Sequence, residues 1–306
     1  MAILVIKHSA LGDVILALPL FQAIRRHHPK EHLVLLTTAP FADLARASGC
    51  FDEIWCDNRP KLWNLTTTLQ LMRKIRNGHF GRIYDLQGSQ RTRWYYRLLG
   101  RPRPEWVGNA SGCSHYIPNP TRPVHISELR RQQLALVGIP DPGLPDLSFL
   151  KSDISRFGLP PSYALLIPGG SPHRPAKRWP APAFAELARH LAERRLTPVL
   201  IGREPEQAEI AQIKQASSQA IDLCNRTDIA DLAALARSAA LAVGNDTGPM
   251  HIVAAAGCPS LVLYSAESDP RKNAPRGDWV RTLQRPSLDQ LTVEDVLSGL
   301  PAVRQH

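Results

Sequence analysis

A carboxylate at position 13 follows the first apolar run of the chain and is the clearest candidate for acid–base chemistry. The run 2–6 reads Ala-Ile-Leu-Val-Ile, and the segment 7–13, Lys-His-Ser-Ala-Leu-Gly-Asp, opens a helix-like pattern directly after it. At the carboxyl end of a strand, Asp13 would face a ligand cleft and could act as a base, with Lys7 sharing the site. An acid in a first helical turn is also explained by the helix dipole, so position alone leaves both interpretations open.

A second polar segment, 168–180, follows the apolar run 163–167 and suits the oxygens of a phosphate group. Its glycine pair and Ser171 offer backbone and hydroxyl donors, and Lys177 adds a point charge. Ala176 stands where a Walker A loop requires glycine, which excludes that loop. A solvated basic loop is the alternative interpretation.

The most specified segment is 244–251, Gly-Asn-Asp-Thr-Gly-Pro-Met-His, between the predicted strand 240–243 and an Ala-rich helix. Asp246 or Thr247 suits the N-cap of that helix, and Pro249 suits its first turn. The free amides of such a helix start bind anions, so a diphosphate could be held here without a metal. A helix that is merely well capped is the alternative, although capping alone requires fewer defined residues.

A weaker element is the acidic segment 202–206, which follows the apolar run 197–201. Glu204 or Glu206 could accept hydrogen bonds from a ribose diol, as acids after a second strand do in nucleotide-binding folds. An acid that only complements a helix start fits equally well.

Strand-like and helix-like segments alternate along the chain, and this alternation must position the polar segments. Continuous apolar strands separated by helices indicate an α/β fold with parallel sheets covered on both faces. The segment 139–161 contains five prolines and is a candidate linker. We therefore predict two Rossmann-like doubly wound domains, 1–150 and 151–306, facing a cleft.

Positive charge is concentrated in the first half of the chain. The 37 Lys and Arg against 27 Asp and Glu give a net charge of +10. Residues 1–160 carry +9 of that surplus, and the segment 59–103 holds eleven basic residues against one acid, Asp85. Such a patch indicates an anionic partner, which by charge alone is a nucleic acid, a membrane surface or a phosphorylated substrate. A nucleic acid is disfavoured, because no recognition motif is present and the second half is nearly neutral.

Motif and cysteine patterns exclude several other classes of protein. The chain has no G-x-G-x-x-G, H-E-x-x-H or G-x-S-x-G motif and no clustered Cys/His set, so dinucleotide oxidoreduction, zinc hydrolysis and serine-esterase chemistry all lose support. Its five cysteines are odd in number and widely spaced, which fits a reducing cytoplasm. No apolar run reaches the roughly 20 residues of a membrane span, so we predict a cytoplasmic protein, soluble or peripheral to a membrane.

Taken together, these segments resemble glycosyltransferase family 9, the ADP-heptose:lipopolysaccharide heptosyltransferases. The resemblance is carried in chain order by Lys7–Val14 with Leu18-Pro19, Tyr84-Asp85-Leu86-Gln87-Gly88, Pro168–Ser171 with Lys177–Pro180, and Asp246-Thr247-Gly248-Pro249-Met250-His251. The Asp-Thr-Gly-Pro-Met-His block is its most specific part. The segment 265–268 departs from the family pattern, which leaves the donor sugar open.

The resemblance implies a GT-B fold, with the acceptor bound by the first domain and a nucleotide sugar by the second. It implies inverting, metal-independent transfer in which Asp13 is the catalytic base. For the donor site it implies that the diphosphate is contacted by Ser171, Lys177, Thr247 and Gly248. It also implies that Asp246 lines the site and that Glu206 contacts the ribose. His251 belongs to the family motif and is either a ligand contact or structural.

The partners implied are ADP-L-glycero-D-manno-heptose as donor and the anionic, lipid-linked inner core of lipopolysaccharide as acceptor, with no cofactor. Candidate acceptor contacts are Lys7, Ser9, Arg91, Arg93 and Arg97. Trp94, Tyr95 and Tyr96 could rest on the cytoplasmic face of the inner membrane or pack in the domain core. The alternatives are a transferase for another nucleotide sugar, a catalytically silent sugar-nucleotide binder, and a basic nucleic-acid-binding protein.

Overall fold

Apolar runs separated by helices form two six-stranded parallel sheets. The computed structural model describes residues 1–57, 65–170 and 173–300. The chain divides into two compact units, Met1–Gly143 and Leu144–His306, and each contains one sheet. This confirms the predicted α/β class with two Rossmann-like, doubly wound units.

The first unit alternates strands and helices from its first residues. Its elements are β1 (Ala2–Ile6), α1 (Leu11–His27), β2 (His32–Thr37), α2 (Ala39–Ala47), β3 (Glu53–Cys56), α3 (Leu65–Asn77), β4 (Phe80–Asp85), α4 (Gln90–Leu98), β5 (Glu105–Gly108), β6 (His115–Tyr116) and α5 (Ile126–Ala135). The strand order is β3-β2-β1-β4-β5-β6. Strand β1 is central and buried, because helices cover both faces of a parallel sheet.

The second unit repeats this plan. Its elements are β7 (Tyr163–Ile167), α6 (Ala181–Glu193), β8 (Thr197–Leu200), α7 (Gln207–Ala216), β9 (Ile221–Asp222), α8 (Ile229–Ser238), β10 (Leu241–Asn245), α9 (Gly248–Ala255), β11 (Ser260–Tyr264), α10 (Pro270–Asn273), β12 (Val280–Gln284) and α11 (Val293–Gly299). The order β12-β11-β10-β7-β8-β9 places β7 between β8 and β10, as β1 lies between β2 and β4.

Several elements were not predicted from the sequence. They are the short or edge strands β5, β6 and β12 and the helices α5, α10 and α11. Helix α5 escapes a search for apolar periodicity because Arg130 and Gln133 share its buried face with Leu134. That helix contributes a charged side chain to the site described below.

Candidate functional site

Both sheets have a topological switch point, where connections leave adjacent strands in opposite directions. In the first unit it falls between β1 and β4, and in the second between β7 and β10. Ligands of doubly wound sheets bind outside the carboxyl ends of the strands at such points. The predicted segments 7–13, 168–180 and 244–251 begin at the ends of β1, β7 and β10, so they lie at these two points.

At the first switch point, the loop after β4 holds the loop after β1. Ile6 pairs with Asp85 in the parallel ladder. The side-chain oxygen of Gln87 accepts hydrogen bonds from the backbone N–H groups of His8 at 2.9 Å and Ser9 at 3.4 Å. One side chain therefore fixes the backbone that enters α1.

Asp13 and Lys7 line a small cleft at this point. Lys7 Nζ lies 3.8 Å from Asp13 Oδ2, with the Lys7 side chain 5% exposed and the Asp13 side chain 37% exposed. The same Asp13 oxygen accepts a hydrogen bond from the backbone N–H of Ala10 at 3.2 Å. Burial lowers the pKa of Lys7 to about 8, with Asp13 and Asp85 opposing this shift and Arg130 adding to it. A carboxylate reachable by a substrate thus stands beside a cation that titrates readily.

The predicted acceptor arginines on α4 occupy different surroundings. Arg91 Nη1 donates to the hydroxyl of Tyr95 at 3.3 Å, and that hydroxyl donates to Asp57 at 2.7 Å. Asp57 Oδ2 lies 3.2 Å from Nε2 of His8, so Arg91 connects to the end of β1. The other two arginines make no contact of this kind among the described residues: Arg93 is half-buried, and the exposed Arg97 lies over the ring of Trp94.

The aromatic trio on α4 divides between core and surface. Tyr95 and Tyr96 are buried among the core side chains of the first unit. Trp94 is 40% exposed, and Leu98, one turn further along the same helix, is 42% exposed. Of the two alternatives predicted for these aromatic residues, core packing therefore holds for the two tyrosines. Of the three, only the tryptophan presents its ring at the surface.

At the second switch point, a residue that sequence reasoning missed joins the two predicted segments. Asn245 is fully buried, and its Nδ2 donates to the carbonyls of Pro168 at 2.6 Å and Gly169 at 3.3 Å. Its Oδ1 accepts the backbone N–H of Trp179 at 3.0 Å. The asparagine was visible in the 244–251 motif, but its bonds reach 66 and 77 residues away in sequence, which no local pattern reveals.

Lys177 and Asp246 form a mostly buried ion pair beside this asparagine. Lys177 Nζ lies 2.6 Å from Asp246 Oδ2, with side chains 11% and 6% exposed. Burial and the charge of Asp246 raise the pKa of Tyr264, so its hydroxyl stays protonated near that carboxylate. An ammonium group has three donors, so Lys177 can bind a ligand oxygen while it holds Asp246.

The start of α9 offers fewer free backbone N–H groups to an anion than its position after β10 indicates. Thr247 is the N-cap of α9 and makes no side-chain capping bond. Pro249 has no N–H, and the N–H of Met250 donates to the Thr247 carbonyl. This leaves the amides of Thr247 and Gly248 as the candidate anion donors.

Three further donor-site predictions have different outcomes. Ser171 lies outside the described residues. The Glu206 side chain lies so close to Gly169 that a Cβ there would be 2.9 Å from its Cγ, and its Oε2 accepts the N–H of Arg203 at 2.9 Å. This places Glu206 at the switch point. His251 is buried at 5% exposure, which favours packing over ligand contact.

Two features are absent from the part of the chain that the structure describes. No group of three or more His, Cys, Asp or Glu side chains there could hold a metal ion. Within the same residues, no helix has the length and apolar character needed to cross a membrane.

Comparison with solved structures supports the GT-B fold. The glycosyl transferase family 9 structure from Veillonella parvula superposes with a TM-score of 0.82 at 19% identity, covering 97% of this chain and 95% of that one. The E. coli heptosyltransferase WaaC with ADP gives a TM-score of 0.76 at 20% identity, with coverages of 97% and 98%. At such identities the likeness concerns the fold alone.

Sequence relatives match over shorter segments. Lipooligosaccharide heptosyltransferase 2 of Haemophilus influenzae is 31% identical over 114 residues, which are 36% of this chain and 33% of that protein. The Haemophilus ducreyi protein of the same name is 33% identical over 106 residues, 32% and 30% of the two chains. The chain therefore matches about a third of the length of each relative.

The family model described as "Glycosyltransferase family 9 (heptosyltransferase)" matches residues 68–288, well over half of the chain. This segment contains the β4–α4 loop, the Lys177–Asp246 pair and the Asn245 contacts. The chain belongs to glycosyltransferase family 9, the heptosyltransferase family.

Proposed function

We propose that this protein transfers the heptose of ADP-L-glycero-D-manno-heptose onto the inner core of lipopolysaccharide, with inversion and without a metal. The observation that carries the proposal is the partly exposed Asp13 carboxylate beside buried Lys7 at the first switch point. The first unit would bind the acceptor, and the second would bind the nucleotide sugar.

In this mechanism Asp13 removes the proton of an acceptor hydroxyl as its oxygen attacks the anomeric carbon. A new C–O bond forms on the face opposite the leaving group, the bond to the diphosphate breaks, and ADP departs with the electron pair. Charge that develops on the diphosphate is stabilised by Lys177, by the amides of Thr247 and Gly248, and by Ser171. Asp246 orients the lysine, and Glu206 would accept hydrogen bonds from the ribose.

Activity and donor class are tested on the unmodified protein. With ADP-heptose, heptose-free lipopolysaccharide and EDTA, we expect ADP release and a product one heptose heavier. Thermal-shift measurements should show stabilisation by ADP and ADP-sugars, and none by UDP or GDP analogues. Donor binding without turnover on any core acceptor would instead identify a silent sugar-nucleotide binder, and stabilisation by UDP or GDP would identify another transferase.

The Lys7 pKa of about 8 predicts an alkaline limit for acceptor use. Raising the pH through 8 removes the proton from Lys7, so the charge that faces Asp13 and an anionic acceptor is lost. The kcat/KM for acceptor should therefore fall with a midpoint near pH 8, while ADP-sugar binding stays constant. In Lys7→Met this alkaline limb of the pH profile should be absent, because the variant has no ammonium group to lose. Its kcat/KM for acceptor at pH 7 should already equal the wild-type plateau at high pH. A limb unchanged in that variant would assign the titration to another group.

Peripheral contact with the cytoplasmic face of the inner membrane is supported by Trp94 and Leu98 beside Arg97. Apolar side chains insert at the interface while cations attract anionic lipid. Trp94→Ser with Leu98→Ser should weaken binding to phosphatidylglycerol vesicles by about tenfold or more. Trp279→Ser is the matched control, since Trp279 is 62% exposed in the second unit. Equal weakening by the control would contradict the assignment of this surface.

A further inference from the structure

A buried arginine shares the Asp13 cleft and lies outside every motif singled out in the sequence analysis. Arg130, on α5, lines the cleft with Lys7 and Asp13 and is only 5% exposed. Burying a guanidinium costs free energy unless its N–H donors have acceptors and its charge has a partner. The buried position of Arg130 therefore requires an explanation.

The guanidinium joins the main chain of Gln87 to the side chain of Gln133 at the first switch point. Arg130 Nη2 donates to the backbone carbonyl of Gln87 at 3.1 Å, and Nη1 donates to Oε1 of Gln133 at 2.5 Å. Gln133 Nε2 donates in turn to the carbonyls of Asp85 at 3.0 Å and Val107 at 2.8 Å, which ties α5 to the ends of β4 and β5. A planar group with two separated donors is needed for this geometry.

The loop around Arg130 leaves room for it. Gly88 has φ +61°, and a Cβ there would lie 2.4 Å from Nη2 of Arg130. The N–H of Gly88 donates to Oδ1 of Asp85 at 2.8 Å, and Asp85 is fully buried. Burial raises the pKa of Asp85 and the positive charge of Arg130 opposes that rise, so the two buried groups offset each other's desolvation.

The bonds continue from Arg130 to the proposed base. Arg130 holds the main chain of Gln87, and the side chain of Gln87 holds the N–H groups of His8 and Ser9. The next residue, Ala10, donates its N–H to Asp13 Oδ2. A movement of Gln87 would therefore shift the residues that set the direction of the Asp13 carboxylate.

We propose that Arg130 is a positioning residue for Asp13, acting through Gln87. This inference rests on the proposed function, in which Asp13 is the base. Small displacements of a reacting group cost large factors in rate, so Arg130→Gln should lower kcat by about a hundredfold. The KM for ADP-sugar should stay within about twofold of wild type, since the donor is bound by the other unit.

The test compares matched variants. Arg131→Gln, the exposed neighbour on α5, is the control and should leave kcat unchanged. Gln87→Ala keeps both buried charges in place and should reproduce most of the loss, and the double variant should lose no more than about twofold beyond the larger single effect. Arg130→Lys keeps the charge but cannot make both bonds, so it should remain impaired. Full activity in Arg130→Lys, or additive losses in the double variant, would overturn the proposal.

Hydrogen exchange gives a readout that needs no substrate. The His8 and Ser9 amides should exchange faster, by about tenfold, in Arg130→Gln and in Gln87→Ala than in Arg131→Gln. If the wild type transfers no sugar, the proposed function fails, while the exchange rates still report whether Arg130 holds this loop. Unchanged exchange in both variants would remove the positioning role, whatever the activity.

Discussion

Replacing Asp13 with asparagine should abolish sugar transfer and leave donor binding intact. The carboxylate is the only part of the side chain that can accept a proton, and a positioned base contributes about 10²–10⁴-fold to a rate. The amide keeps the size of the side chain, and its oxygen can still accept the N–H of Ala10. We therefore expect kcat to fall by about a thousandfold or more, measured as ADP release with heptose-free lipopolysaccharide.

Two further measurements separate chemistry from folding in this variant. Asp43→Asn is the control, because Asp43 is an exposed acid on α2 of the same unit whose contact is Arg46. The affinity of Asp13→Asn for ADP should equal that of wild type, since no predicted donor contact lies in the first unit. Residual activity within tenfold of wild type would show that Asp13 is not the base.

Elements whose signal is local could be predicted from the sequence. The run 2–6 is apolar throughout, Lys7 follows it directly, and Asp13 lies in the first turn of the next helix, so their meeting follows from chain connectivity. The motif around Asp246 follows β10 in the same way, and the parallel arrangement of strands brings it to the ligand-binding edge of the sheet.

Contacts between distant segments could not be predicted. Arg130 reaches Gln87 across 43 residues, and Asn245 reaches Pro168 across 77. Each contact is made by a polar side chain, and a single sequence predicts that such a side chain is exposed at the surface. For the same reason α5 was missed: two of its buried residues are polar, and they interrupt the apolar period.

The adjacent residues Trp94, Tyr95 and Tyr96 show the limit of composition as a guide. All three are aromatic and lie among arginines, and this composition is expected both of a helix that faces a membrane and of a helix that faces the core. The direction of α4 against the sheet decides between them, with Tyr95 and Tyr96 placed inward. Only packing, which depends on the rest of the chain, supplies that information.

Replacing Lys177 with methionine should reduce donor affinity far more than acceptor affinity. The substitution removes the cation proposed to face the diphosphate and leaves the Asp246 carboxylate buried without the partner that lies 2.6 Å away in the wild type. Removing the protein's member of a buried charge pair between protein and ligand costs about 2–5 kcal/mol of binding free energy. The Kd for ADP-heptose should therefore rise by about a hundredfold. Isothermal titration with ADP-heptose measures this, with Arg189→Gln on α6 as a charge-matched, exposed control.

The double variant Lys177→Met with Asp246→Asn distinguishes ligand binding from stability. The single variant should also unfold more easily, by about 3–5 kcal/mol, because an uncompensated buried charge remains. Neutralising Asp246 removes that penalty, so the melting temperature should recover, whereas donor affinity should not, because no cation is restored. If affinity recovers together with the melting temperature, Lys177 serves only to balance Asp246. Recovery of stability alone means that the lysine acts on the diphosphate, and that Asp246 fixes where its charge is held.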